Sequence, residues 1–324
     1  MADMNLKLQG MNPSDQRTLA AGVLARRFAL PMVIIALVIL NAAVTNNFLS
    51  TNTMWNILLH VSTTTLVAIG MTLVIATGGI DLSVGAVMAL SAVFCTFLLD
   101  YPVVVILAGT MLFCALFGLL NGVVISYIGV QPIIATLALM IAGRGIAQVI
   151  TDGFLVTFTH PAFEALGKGK VWSIPVPVIV MFIVAVLVYI VVRYMTYGRY
   201  VEAVGDNEQA ANLAGINVRK IKLSVYVLSA VFASLAGMIE TARLSAADAT
   251  RIGELIEMDA IATVVVGGTL MSGGRPHIWG TVLGAILMGL ITATFNMNNI
   301  PYSYSLVIKA FIIVAAIYFQ RENR

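Results

Sequence analysis

The sequence predicts an all-α polytopic membrane protein, a transmembrane helical bundle of about ten spans with both termini in the cytoplasm. Three observations carry that prediction. Of the 324 residues, 60% are hydrophobic and only 10% are charged, against about a quarter charged in soluble domains. Apolar runs near the roughly 20 residues that cross a bilayer recur along the chain. The basic residues are also segregated. With the N-terminus inside, the cytoplasmic segments hold Lys7, Arg17, Arg26, Arg27, Arg193, Arg199, Arg219, Lys220, Lys222, Arg275, Arg321 and Arg324, and the outer ones only Lys168, Lys170, Arg243 and Arg251. That asymmetry is the positive-inside pattern.

In chain order, residues 1–27 read as a polar cytoplasmic tail, 28–320 as one transmembrane domain and 321–324 as a second cytoplasmic tail. No hydrophilic stretch is long enough to fold alone. The ten spans are placed at 28–45, 54–77, 82–99, 103–127, 133–151, 174–193, 221–242, 259–270, 277–295 and 304–320. The first has the basic flank of a signal peptide, but its long leader and the span that follows favour an uncleaved helix. The eighth is short and reads as half-buried or broken. Cys95 and Cys114 fall in apolar runs that turn back at Asp100–Pro102, which sets the thiols at depths roughly 10 Å apart and argues against a disulfide. His60, His160 and His277 are scattered, so neither a metal site nor a catalytic constellation is expected.

Two glycine-rich breaks interrupt the apolar pattern. The first, Thr77–Ser83, contains Gly78, Gly79, Asp81 and Ser83; the second contains Gly267, Gly268, Gly273 and Gly274. Paired glycines let backbones approach or turn inside the membrane, and Asp81 or Ser83 then caps the next helix. For Asp81 a structural cap is favoured over a direct contact with a solute. Thr72–Ile75 before one break and Thr263–Val266 before the other hint at an internal repeat, a common feature of transporter folds.

Arg144 is the one charge deep within a span, about 11 residues and roughly 16 Å past Ile133, and Gln148 shares its helix face. It either lines a pathway or ties its helix to a neighbour's carbonyls, and the sequence favours neither. Asn121 is a further intramembrane polar candidate. Glu240 and Asp259, near helix ends, are expected to be solvated, and Lys309 to snorkel outwards. Residues 243–258 mix charge with apolar side chains and show a helical pattern in their last half, suiting an outer gate helix or an interfacial one.

The longest internal hydrophilic stretch, Arg193–Lys222, concentrates eight charged side chains and falls in the cytoplasm. A short helix is punctuated within it. Asp206 is placed as N-cap with Gln209 three residues on, a capping-box spacing, and Gly215 as the left-handed stop. About eight residues, roughly 12 Å, lie between, and Ala210, Leu213 and Ala214 make a small apolar face suited to a groove on another protein.

The run EAVGDNEQAANLAGI resembles the cytoplasmic coupling loop of bacterial ATP-binding-cassette sugar permeases of the ribose type, with Gly205, Asn207, Ala210, Ala211, Gly215 and Ile216 at matching positions and Ala214 where that family often has Ser. Gly70–Ala89, GMTLVIATGGIDLSVGAVMA, resembles the corresponding block of ribose, xylose and galactofuranose permeases. The resemblance implies a permease that does no chemistry on its sugar, working by alternating access in the bacterial inner membrane. The partners it implies are a second permease chain, two ATPase subunits and a periplasmic sugar-binding protein, with Gly205, Asp206, Asn207, Ala210, Ala211, Leu213, Gly215 and Ile216 coupling to the ATPase. It also implies a receptor-docking surface outside, for which Arg243 and Arg251 are candidates. The chain contains no G-x-x-x-x-G-K-[ST] loop, so ATP and Mg²⁺ would be held by the partner. Nothing points to nucleic acid. The competing reading, a secondary transporter run by an ion gradient, would want carboxylates near the midplane.

Overall fold

The computed structural model describes residues 30–321; the two predicted tails, Arg321 apart, lie outside the described residues. Each of the ten apolar segments is helical. They are α1 (Leu30–Val44), α2 (Thr51–Ala76), α3 (Val84–Thr96), α4 (Val103–Val123), α5 (Pro132–Ile150), α7 (Val176–Tyr194), α10 (Val218–Leu244), α11 (Ile256–Val266), α12 (Ile278–Met297) and α13 (Tyr302–Arg321). Three short helices lie between them, α6 (Pro161–Lys168), α8 (Thr196–Asp206) and α9 (Glu208–Leu213).

Six helices are long and apolar enough to cross a membrane: α2, α4 with its π-helical extension Val124–Ile128, α5, α7, α10 and α12. The apolar parts of α1, α3 and α13 are shorter. The 13 residues of α3 and 11 of α11 rise about 20 and 16 Å, less than the hydrocarbon thickness of roughly 30 Å. Each of these two abuts a glycine break.

Helices α2 and α10 form the centre. From Val61 to Ala76 every residue of α2 is buried, and α10 packs on α2, α3 and α4. Small residues permit this closeness. A Cβ at Gly118 of α4 would lie 2.6 Å from the Tyr226 carbonyl of α10, and in a bilayer such small-residue contacts replace hydrophobic drive as the source of helix association. Cys95 and Cys114 are both free and buried in this core. Two minimal ribbons lie at the opposite end from α8 and α9: β1 (Val156–Thr157) pairs antiparallel with β4 (Ala246–Ala247), and β2 (Lys170–Val171) with β3 (Ile174–Pro175).

The two breaks begin with the same turn. At the end of α2, Gly78 N–H donates to Ile75 and Gly79 N–H to Val74; at the end of α11, Gly268 N–H donates to Val265 and Thr269 N–H to Val264. Gly78 and Gly268 hold the left-handed position, at φ 77° and 93°. The matched register pairs Val74 with Val264, one residue off the Thr72–Thr263 match that the sequence offered.

Candidate functional site

The hydrophilic stretch Arg193–Lys222, with the coupling loop expected at 194–220, reads as one helix in a loop; it carries two. Tyr197, Val201 and Val204 recur at helical spacing and form α8, whose last residue is Asp206. Asp206 therefore does not cap α9. Asn207 does, in extended backbone (φ −159°, ψ 104°), accepting from Ala210 N–H at 2.9 Å. Gln209 falls one position short of a capping box. The stop is as expected: Gly215 has φ 84°, its N–H donates to Asn212 and that of Ile216 to Ala211, the paired bonds of a Schellman turn. Ala211 is buried at 4% exposure against Val204 and Val218, so it packs the loop on itself. Ala210, Leu213 and Ala214 are exposed, Leu213 at 89%. The apolar face thus stands uncovered, and beside it a cleft of about 1050 Å³ opens between α9 and the 129–132 loop, lined by Asn212, Arg219 and Gln131. Arg219 stacks over Tyr127 at 5.7 Å, and Lys222 reaches Glu208 at 2.6 Å.

Gly205 joins this loop to both glycine breaks. A Cβ there would collide with the Ala76 carbonyl oxygen, at the end of α2, and with the Gly274 nitrogen of the second break. Those two atoms are themselves bonded, Gly274 N–H donating to Ala76 at 2.9 Å. Arg275, next in the second break, pairs with Glu202 of α8.

The first break is a buried polar node. Asp81, 2% exposed, accepts from the Ser83 amide at 3.0 Å and hydroxyl at 2.6 Å, and from the Ser229 hydroxyl of α10 at 2.8 Å. Asn121 of α4 donates to Ser83 at 2.9 Å. Asp81, Ser83 and Asn121, expected separately, are brought together. Ser83 occupies the N-cap position without a side-chain cap bond; Asp81 orders that turn and fastens it to α10. Close by, Tyr226 has a buried hydroxyl with no partner among the described residues, directly over Gly79.

Arg144 donates to the carbonyls of Ala249, Ile252 and Gly253 at 3.2, 2.7 and 2.9 Å. The tie to a neighbour is the contact present. What it ties is the 243–258 segment, which leaves α10 at Leu244, pairs in β4 and then runs as turns from Ala249 to Leu255; of the helix expected in its last half only Ile256 onward is helical, as the start of α11. Gln148 lies half-buried on the same helix, apart from this clamp. Two further expectations are corrected. Lys309 is buried and bonded to both oxygens of Asp259, and Glu240 is half-buried, 3.7 Å from Arg243.

Around the end of α2 far from Gly205, Arg243 lines a cleft of about 450 Å³ with Asn52, Trp55, Asn56, Lys168 and Lys170. Arg251 is exposed beside the turn ordered by Asp248. The Glu164 carboxyl on this rim is held down to about 2, chiefly by the hydrogen bond from Lys168, then by Ser245 and the His160 amide. The sequence reading did not single out Asn52 and Asn56, which line this cleft; with His60 they recur at i, i+4 and i+8, a polar stripe at helical spacing.

Residues 53–317 match the family described as branched-chain amino acid transport system / permease component. Over 293 residues the chain is 41% identical to the ribose import permease protein RbsC of Escherichia coli (strain K12), covering 88% of this chain and 91% of the relative. It is 40% identical over 263 residues to the galactofuranose transporter permease protein YtfT of the same organism, covering 80% and 76%. With the D-allose transport system permease protein AlsC, also of Escherichia coli (strain K12), it shares 35% over 277 residues, 85% of each. No solved structure matches the chain.

Proposed function

The chain belongs to the branched-chain amino acid transport system permease-component family, and from that premise we propose that it is the membrane subunit of an ATP-driven importer of a monosaccharide. The family description names amino acids, but the similar relatives are named for ribose, galactofuranose and allose. A sugar is therefore the better supported cargo. In this reading the chain spans the bacterial inner membrane with Gly205 and the exposed face of α9 in the cytoplasm. Two such chains, or one with a close relative, enclose the pathway. A partner ATPase holds ATP and Mg²⁺, and a periplasmic sugar-binding protein delivers the solute.

The observation that carries the coupling part of this reading is the Gly205 junction. The uncovered face of Ala210, Leu213 and Ala214 offers a docking surface, and at Gly205, five residues before Ala210, the same segment touches the end of α2 and the second break. Tightly packed backbone transmits displacement, because interiors have little free volume to absorb it. An ATPase that closes and pushes on α9 would move α8, and through Gly205 would move the ends of α2 and of the second break together. Asp81 bonded to Ser229 carries the motion to α10.

The test is reconstitution. The purified chain alone should neither bind nor hydrolyse ATP, and proteoliposomes holding it with its ATPase and receptor should take up labelled sugar only when ATP is supplied. Saturable ATP binding by the isolated chain, or uptake driven by an ion gradient without ATP, would overturn the proposal.

A further inference from the structure

The outer half of α2 breaks the rule that membrane-facing surfaces are apolar. Asn56 and His60 lie one turn apart and are exposed, as is Asn296 near the end of α12. Among the described residues neither Asn56 nor Asn296 makes a side-chain hydrogen bond. Counting from Thr51, Asn56 lies about 7 Å and His60 about 13 Å along the helix, so the imidazole stands roughly a third of the way along a helix long and apolar enough to cross a membrane. Unpaired amides in hydrocarbon are costly, and intramembrane polar side chains almost always face a protein interior or a water-filled cavity.

These side chains converge on such a cavity. Thr53, Asn56 and His60 of α2 face Thr292 and Asn296 of α12 across a space of about 210 Å³. Its floor is open because Gly289 lacks a side chain that would meet Val61. The space is below the roughly 300–1,000 Å³ of drug-sized pockets. Asn56 also lines the larger cleft at the rim, so the two spaces meet at one residue.

We infer that this cavity is a sugar subsite on the translocation pathway, in which Asn56, His60 and Asn296 hydrogen-bond the hydroxyls of a neutral monosaccharide. The inference rests on the transport reading above. The lining itself has no carboxylate, ammonium or guanidinium; Glu240 acts on His60 from outside it, and Lys168, Lys170 and Arg243 line the adjoining cleft, so the space offers a solute hydrogen-bonding groups rather than a direct ion pair. Carboxamides donate and accept at once, as hydroxyls do, which suits a polyol. The walls between them are apolar and match the C–H faces of a sugar ring. The site is small and its donors few, as transport requires of a site that must also release.

The experiment uses the chain reconstituted with its ATPase and receptor, and labelled ribose, allose and galactofuranose as probes. ATP-driven uptake by the unaltered complex tests the transport reading first and separately. Asn56→Leu and Asn296→Leu should each lower uptake about tenfold, the loss of one or two hydrogen bonds, while subunit co-purification and receptor-stimulated ATP hydrolysis persist. Uptake within twofold of the unaltered complex would overturn the subsite. So would loss of co-purification, which would make this face a contact between permease chains. A second measurement does not depend on activity. Asn56→Cys should react with a water-soluble thiol reagent and be protected by the transported sugar, against a background kept low by the burial of Cys95 and Cys114. No reaction would place the face against lipid and overturn the inference, as would reaction without protection.

Discussion

The Gly274 N–H donates to the carbonyl of Ala76 at 2.9 Å, so the second glycine break is hydrogen-bonded to the end of the helix that precedes the first. Gly205 lies against both atoms with no room for a side chain. Gly205→Ala must therefore separate α8 from this pair, at a cost of about 1–3 kcal/mol for overpacking. The exposed face of α9 is untouched. We predict a complex that still co-purifies with its ATPase but whose ATP hydrolysis no longer rises when loaded receptor is added. Full stimulation in this variant would show that force does not pass through Gly205.

On α9 two apolar positions two residues apart, on opposite faces of the helix, should behave oppositely. Leu213 projects outward and Ala211 packs inward on Val204 and Val218. Leu213→Glu should release the ATPase while the chain keeps its melting temperature. Ala211→Glu forces a carboxylate into the loop's own packing, which costs several kcal/mol unless it is paired, and should loosen the loop itself, read as faster amide exchange from Val201 to Val218. The reverse assignment of the two phenotypes would mean that α9 is turned over when docked.

Gly215 tests the stop of the same helix. At φ 84° a β-branched side chain is disfavoured by about 1–2 kcal/mol or more. Gly215→Val should fray α9 from Asn212 onward and weaken receptor stimulation, whereas Gly215→Asn should be nearly neutral, because Asn tolerates the left-handed region. Equal effects from the two substitutions would assign the loss to the side chain rather than to the backbone.

The ten apolar segments and the stop at Gly215 were legible because hydropathy and left-handed glycine act locally. The cap was misplaced by one residue for a local reason as well. Asp206 and Asn207 are both good caps, and only the packing of Val201 and Val204, which extends α8 through Asp206, decides between them. Pairings between distant elements were out of reach. Nothing in residues 133–151 says that Arg144 meets the carbonyls of 249–253, and periodicity in 243–258 suggested a helix where that clamp holds turns. Asn56 and His60 were visible as polar interruptions, but their convergence with Asn296 depends on α2 packing against α12.

Arg144 donates to three carbonyls that belong to no helix or strand. Arg144→Leu keeps bulk and leaves those acceptors without a donor, a loss of about 1–3 kcal/mol after allowing for the partly exposed side chain. The melting temperature in detergent should fall and transport with it. Arg144→Lys, with a point charge in place of a fork, should recover part of the stability by reaching one or two carbonyls. A Leu variant with normal stability and no transport would instead place Arg144 in the pathway.

Lys309 and Asp259 join α13 to α11 by a bidentate ion pair with both partners largely out of water. A snorkelling lysine would tolerate replacement, because its charge would already sit at the interface. A buried pair would not. Removing one member takes from the other its partner in this pair, which costs about 3–5 kcal/mol where a buried charge is left behind, whereas replacing both by apolar residues of similar volume is often close to neutral. Lys309→Met and Asp259→Leu should therefore each destabilise the protein strongly, and the double variant should recover most of the loss. The measurement is a double-mutant cycle on thermal unfolding in detergent. Single substitutions without effect would return Lys309 to the interface. Additive losses would mean that each side chain is held by other neighbours and that the pair does not fasten the last helix to the bundle.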